Sequence, residues 1–347
     1  MIYRCSLFKT KIIILIILLL SIITSPLWSK KLPVIRISVE NTSAHVQTAS
    51  VKRFAQLLEQ RLASVYEIEF YPSASLFKDA DIFRALAQGK VEIAVPGTWH
   101  FDKLVPDVGM LLLPSFYGRD ASVSYSLMES NVGKNLIATI EKSLDVKVLG
   151  RFIDLGHTHI FSSSQAIYDP IDFVDKKIRV AGGHVNSLRI ETLGAKAVTI
   201  AWPSLPLALK KKTIDALLTS YETITSAHLD QYGIKHVYED KEYFAQYIPI
   251  TSTFFWNKLS KETQQIILTS WQEIVDQARL DALEAQYTSK ALLESTHIQI
   301  VVPSEETIIK TRETLLKQEA SMAHTIGITP ENYTLFRTFF DQIDGTL

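Results

Sequence analysis

The closest the sequence comes to a metal-ligand pattern is His157-Thr158-His159, two histidines two residues apart. On a strand they share a face and could ligate a metal ion. No third ligand is visible nearby, and the alternative is one histidine facing a cleft with the other in a turn. Ser162, Ser163 and Ser164 follow with no nucleophile motif around them and read as solvated or turn-forming serines. The carboxylates are scattered rather than paired, and no P-loop, GxGxxG, GxSxG or HExxH occurs. Nothing here is a positive sign of catalysis. Arg179 offers different chemistry. At the end of a predicted strand it presents a planar fork of donors, which can grip a carboxylate through two parallel hydrogen bonds. The alternative is a surface pairing with Asp172, Asp175 or Glu191.

These side chains need elements to hold them. Residues 34–39 alternate apolar and polar as a half-buried strand does, and Asn41, Thr42 and Ser43 then offer helix-capping groups. Val51, Phe54, Leu57, Leu58 and Leu62 recur at helical spacing on one apolar face. Strand 66–71, helix 79–88 and buried strand 91–95 complete a βαβαβ beginning, which predicts a parallel sheet with helical crossovers. The grammar repeats as strands 146–153 and 178–180, helix 186–193, strand 197–200, helix 204–211 and strand 214–218. Residues 260–294 contain no Gly or Pro and carry a stripe of Ile266, Ile267, Trp271, Ile274, Val275, Ala278 and Ala282, which predicts one long helix, with a single break as the alternative. A strand at 298–302 and a helix at 305–323 follow. The expected fold class is α/β and two-lobed, with mostly parallel sheets, helical crossovers and a long helix near the C-terminal third. Ligands of open α/β sheets sit outside the carboxyl ends of strands, so a cleft between two such ends is the expected site. Asn41 and His45 fall at one lip of it by this topology.

Composition narrows the function classes. The 347 residues include 36 basic and 37 acidic side chains, so no excess positive charge exists for a phosphate backbone, and nucleic acid is excluded as the expected partner. Arg4, Lys9 and Lys11 precede an apolar run at 12–20 continued by Ile22 and Ile23. About 12 residues at 1.5 Å rise cover about 18 Å, short of the ~30 Å hydrocarbon core, so 1–29 reads as an export signal cleaved near Ser29. Leu27 sits where a small residue is preferred, which leaves an uncleaved anchor as the alternative. Cleavage removes three positive charges and the single cysteine, Cys5, and moves the net charge from −1 to about −4. The expected location is outside the cytoplasm.

One stretch is more specific. PIDFVDKKIRV at 170–180, with GAKAVT at 194–199 and ALKKKTID at 208–215, resembles the exported solute-binding subunits of TRAP (tripartite ATP-independent periplasmic) transporters. FAQLLE at 54–59, FYPSASL at 70–76, GKVEIA at 89–94, LPSFY at 113–117 and FFWN at 254–257 keep the family's order across nearly the whole mature chain. The resemblance implies two α/β lobes joined by a hinge and a long helix, closing over a small organic ligand, often a carboxylate. The lobes are expected at 31–155 plus about 240–285 (lobe I) and 156–239 plus about 286–347 (lobe II).

The same resemblance assigns residues. The family's central arginine, in its Lys-x-Arg-Val-Pro pattern, matches Arg179, with Ala181 replacing the proline. His159 stands where many members carry a second basic residue, and Thr219 at a common ligand-contact asparagine. Trp202 falls where an aromatic ligand neighbour is usual, and Thr98 and Trp99 follow strand 91–95 where the family places ligand-facing residues. Ser204 and Pro206 replace a glutamate and a tyrosine, and Leu217 and Leu218 replace polar groups. These substitutions point to a monocarboxylate with an apolar body. Burying a Trp or Leu contact offers ~1.5–3 kcal/mol, enough to compete with a lost hydrogen bond of about 1 kcal/mol. The alternatives are a small dicarboxylate or keto acid, with the leucines as strand core. His159 titrating near neutrality predicts that anion affinity rises as pH falls from about 8 to 6. The function implied is an extracytoplasmic receptor, not an enzyme, with no cofactor and no metal. It hands its carboxylate ligand to TRAP membrane permease subunits, and another exported protein is a further candidate partner. The rival readings are a secreted small-acid hydrolase or isomerase, and a binding protein repurposed as sensor or adaptor.

Overall fold

The computed structural model describes residues 31–345. The export-signal reading at 1–29 lies outside the described residues. The first sheet has the order β2 (Glu67–Tyr71), β1 (Val34–Ser38), β3 (Ile93–Ala94), β12 (Ile250–Ser252), β4 (Val146–Val148). In β1 the alternation works as expected: Ile35 and Ile37 are fully buried, while Arg36 stays partly exposed and pairs with Glu92 at 2.7 Å. The second sheet runs β13 (Gln299–Val301), β10 (His236–Tyr238), β6 (His159–Ser162), β9 (Ala216–Thr219), β7 (Lys177–Val180), β8 (Lys196–Thr199).

Two strands link the sheets. β5 (Ile153–His157) lies between β4 and β6 in the chain, and β11 (Phe244–Tyr247) lies between β10 and β12; they pair with each other antiparallel. The expected strand 146–153 is therefore two. It breaks at 149–152, where the chain leaves the first sheet and Gly150 presses against the Trp271 indole; a Cβ there would sit 2.8 Å from the ring. The crossing also explains why both large sheets are mixed. Pairings made through helical crossovers, β1 with β2 and β3, and β7 with β8 and β9, are parallel. Strands that have just crossed the link, β6 and β12, enter antiparallel. Periodicity does not mark β10, β11 or β12, which are too short to show alternation.

The long helix Lys261–Glu294 is continuous. Ser260 caps it by accepting the Thr263 N–H at 3.1 Å, and its stripe buries Trp271, Ile274, Val275, Ala278 and Ala282. It packs along helix Val46–Leu62, along β5 and against the short helix Tyr221–Ser226, so a single rigid element braces both sheets. Trp271 anchors it: the ring meets Phe54 edge-on at 5.2 Å and its N–H donates to the Arg151 carbonyl at 2.9 Å. Among the described residues no helix is long and apolar enough to cross a membrane.

Candidate ligand-binding site

A narrow cavity of about 40 Å³ opens between the carboxyl ends of β1 and β3 on one side and of β7 and β9 on the other. Arg179, Asn41, Trp99, Trp202 and Thr219 all line it, together with Glu40, Asp79, Leu155, Thr158, Ala181, Leu218, Thr223, Tyr243 and Tyr247. Of these, β5 and β11 supply Leu155 and Tyr247, so the linking strands form its floor.

Arg179 is only 2 % exposed. Its Nε donates to the Ile200 carbonyl at 3.0 Å, yet its Nη2 is buried with no partner. Burial lowers its pKa to about 10, against the opposing charge of Glu40 and then Tyr243, so it is a cation at neutral pH. No ion pair of Arg179 occurs among the described residues, in contrast to the other deeply buried arginine, Arg189, which holds Glu242 at 2.6 Å. A buried charged donor left unpaired is expensive unless something outside the chain completes it.

The aromatic and polar walls are fixed by packing. Trp99 folds back over Gly97, where a Cβ would fall 2.3 Å from the indole, and meets Tyr247 edge-on at 5.4 Å. Its ring nitrogen is buried without a partner. Asn41 Nδ2 donates to Gln47 Oε1 and to the Tyr247 hydroxyl, both at 2.8 Å. Thr98 is 1 % exposed with an unpartnered hydroxyl, but it is packed behind the wall and does not line the cavity. Leu217 also lies elsewhere, in a separate apolar cluster with Phe161, Leu205 and Leu209, so of the two leucines only Leu218 reaches the cavity.

His159 is not brought to Arg179. Successive residues of an extended chain point to opposite sides, and here Thr158 takes the cavity side. His159 lines a second, open cavity of about 820 Å³ beside the long helix, with Tyr125, Phe244 and Gln286 among its walls. Its Nδ1 accepts the Lys241 N–H at 3.1 Å. Burial, with the charges of neighbouring cationic groups, pushes its pKa well below the usual imidazole range, so it stays neutral between pH 6 and 8. The expected link between His159 protonation and affinity therefore loses its physical basis. His159→Gln, which keeps an acceptor for Lys241, is expected to leave the dependence of ligand affinity on pH between 6 and 8 unchanged by calorimetric titration; a flattened profile would return the histidine to the mechanism.

The lining residues absent from the sequence expectations are Leu155, Thr158, Thr223, Tyr243, Tyr247 and two acids, Glu40 and Asp79. Glu40 lies two residues past the end of β1 and Asp79 opens helix Asp79–Ala87, and the available signal was their position near a strand end and at a helix start. Glu40 Oε1 accepts the Asp79 N–H at 3.3 Å. Burial raises both pKa values, Asp79 the more strongly because the Glu40 charge adds to it.

The cavity is closed over by contacts between the elements that flank it. His45 Nε2 lies 2.9 Å from Glu222 Oε2, both buried, and the Val46 N–H donates to Glu222 Oε1 at 2.8 Å. Asp102 accepts the His184 N–H, and Arg189 donates to the Leu112 carbonyl at 2.6 Å.

Two α/β sheets, two linking strands, a bracing helix and a buried cavity holding one unsatisfied cation define the class: a two-lobed α/β binding protein. The chain belongs to the bacterial extracellular solute-binding protein family 7 (DctP), whose model matches residues 37–324, and is a TRAP-type solute-binding subunit rather than an enzyme. It is 22 % identical over 260 residues to the C4-dicarboxylate-binding periplasmic protein DctP of Shewanella loihica, covering 73 % of this chain and 74 % of that one. It is 23 % identical over 239 residues to the 2,3-diketo-L-gulonate-binding periplasmic protein YiaO of Escherichia coli, covering 69 % and 72 %. Among solved structures, the sugar acid binding protein DctPAm of Advenella mimigardefordensis, in complex with galactonate, superposes with a TM-score of 0.82 at 19 % identity, covering 90 % of this chain and 99 % of that one. A TRAP periplasmic solute-binding protein of Ralstonia eutropha with bound (S)-2-acetolactate gives 0.81 at 20 % identity, covering 89 % and 99 %. At these identities the structural likeness shows the fold.

Proposed function

We propose that this protein is a periplasmic receptor that captures a compact organic acid on Arg179 and delivers it to a TRAP-type membrane permease. The observation that carries the reading is the buried, unpartnered Arg179 Nη2 facing the cavity. A ligand carboxylate there makes charge-assisted bonds that are roughly twice as strong as neutral ones. Thr219, Thr158, Tyr243 and Tyr247 surround it, while Trp99, Trp202 and Leu218 cover its apolar edges. That lining is more polar than the sequence substitutions imply, and the cavity is small, so the ligand's apolar part is short. The names of the relatives, which bind C4-dicarboxylates and 2,3-diketo-L-gulonate, agree with an organic acid as the ligand.

The two large sheets serve as the cores of two lobes, 31–155 plus about 240–285 and 156–239 plus about 286–347, with β5 and β11 as the hinge. Ligand binding favours the closed form through Arg179 on one lobe and Glu40, Asn41 and Trp99 on the other. Only that form docks productively on the permease.

Native mass spectrometry of protein purified from cells, followed by denaturing extraction, tests this without a guess at the ligand. One equivalent of a small carboxylic acid, released chemically unaltered, is expected. Turnover of that acid on incubation would establish an enzyme instead.

A further inference from the structure

Glu40 and Asp79 make the cavity more than an anion trap. They are 9 % and 7 % exposed, they line the same space as Arg179, and neither forms an ion pair with a lysine or arginine among the described residues. Asp79 Oδ2 lies 3.4 Å from His100 Nε2. Burial and the charge of Arg179 lower the His100 pKa to about 3, so that imidazole is neutral and supplies no countercharge. The site thus holds Arg179, whose Nη2 has no hydrogen-bond partner, and two carboxylates of which Glu40 feels the Arg179 and Lys78 charges without a close ion pair to either.

We propose that the ligand carries a cationic nitrogen as well as a carboxylate, as a compact α-amino acid or similar zwitterion does, with its carboxylate on Arg179 and its nitrogen against Glu40 and Asp79. This rests on the Arg179 reading above and names the ligand class for the same site. A dicarboxylate would place its second negative charge beside two buried acids, and an ammonium group in that place gains what the dianion loses. The nitrogen also adds donors to the Asp79 and Gly97 N–H groups that Glu40 and Asp79 already accept, and a second carboxylate adds none.

The pH dependence separates the two classes of ligand. Glu40 and Asp79 face each other, Arg179, Lys78, His100 and the Tyr247 hydroxyl. With their pKa values raised by burial, the pair takes up a proton above the ordinary carboxylate range and loses negative charge as pH falls. A zwitterion held by that charge binds more weakly on acidification, whereas a nitrogen-free acid, repelled by it, binds more tightly. One carboxylate or imidazole atom from each of Glu40, Asp79 and His100 lies within 4.8 Å of the others, a spacing that a divalent ion could use. The facing Arg179 charge disfavours such an ion.

Calorimetric titration tests the inference with the common amino acids and their 2-hydroxy and 2-keto analogues, together with aspartate against succinate, each with and without EDTA. At least one amino acid is expected to bind tenfold or more tighter than its nitrogen-free partner, and to weaken at least threefold between pH 7.5 and 5.5 in the wild-type protein. Glu40→Gln should erase the preference while Arg179→Ala weakens both members; the wild-type pH series stands even if Glu40→Gln fails to fold. Nitrogen-free acids binding as well or better, and tightening on acidification, overturn this inference and leave the acid receptor intact. Binding that EDTA abolishes and calcium or zinc restores overturns it in favour of a metal. Failure of every compound in both sets overturns it together with the carboxylate reading.

Discussion

Arg179→Ala is expected to weaken ligand binding by about 2–5 kcal/mol, which is roughly 30-fold to several thousand-fold in Kd, while leaving the unliganded protein about as stable as before. The two halves of this expectation have one cause. Among the described residues of the unliganded chain the guanidinium hydrogen-bonds the Ile200 carbonyl and leaves Nη2 buried and unpaired. Its removal forfeits about 1 kcal/mol of that bond and relieves a desolvation penalty of similar or larger size. In the complex the same removal strands a buried carboxylate. Titration calorimetry reads the first quantity and urea unfolding without ligand the second. Wild-type affinity in the variant would remove Arg179 from the site, and a loss of several kcal/mol in apo stability would make it a structural arginine.

Arg189 provides the opposite case. Glu242→Gln or Arg189→Met is expected to destabilise the fold by about 3–5 kcal/mol in urea unfolding, because either strands an uncompensated buried charge. Both side chains are fully buried, Nε and Nη2 reach Glu242 Oε2 at 2.9 and 2.6 Å, Nη1 donates to the Leu112 carbonyl at 2.6 Å, and the guanidinium lies 5.3 Å from the Tyr243 ring centroid. The double replacement Arg189→Met with Glu242→Leu removes both charges and should recover most of the loss. A single-variant effect below about 1 kcal/mol would show that the pair is solvated in solution. The two arginines lie ten residues apart, in β7 and in the helix His184–Thr192, and only their partners distinguish a strut from a binding group.

Much of this protein was legible without coordinates. Period-two alternation at β1, the stripes of helices Val46–Leu62 and Lys261–Glu294, and the repeated strand-helix grammar around β7 to β9 are local consequences of which residues face water. They are correct to within a few residues. The family resemblance runs through those same segments and brought Arg179, Trp99, Trp202 and Thr219, and the strand topology brought Asn41; the structure gathers all five around one cavity. Illegible were the short strands β10 to β12, whose pairing energy comes from distant partners.

By itself the sequence determined the element types, the repeated α/β grammar behind the two-lobed fold, the absence of a catalytic motif and the presence of a guanidinium at a strand end, since each depends on side-chain type and near-neighbour spacing alone. Only the tertiary structure decided that Thr158 rather than His159 faces Arg179, and that Glu40 and Asp79, 39 residues apart, share a buried pocket with it. Those outcomes depend on the direction of each Cβ and on which surfaces long-range packing removes from water. Neither is written in the periodicity of any single segment.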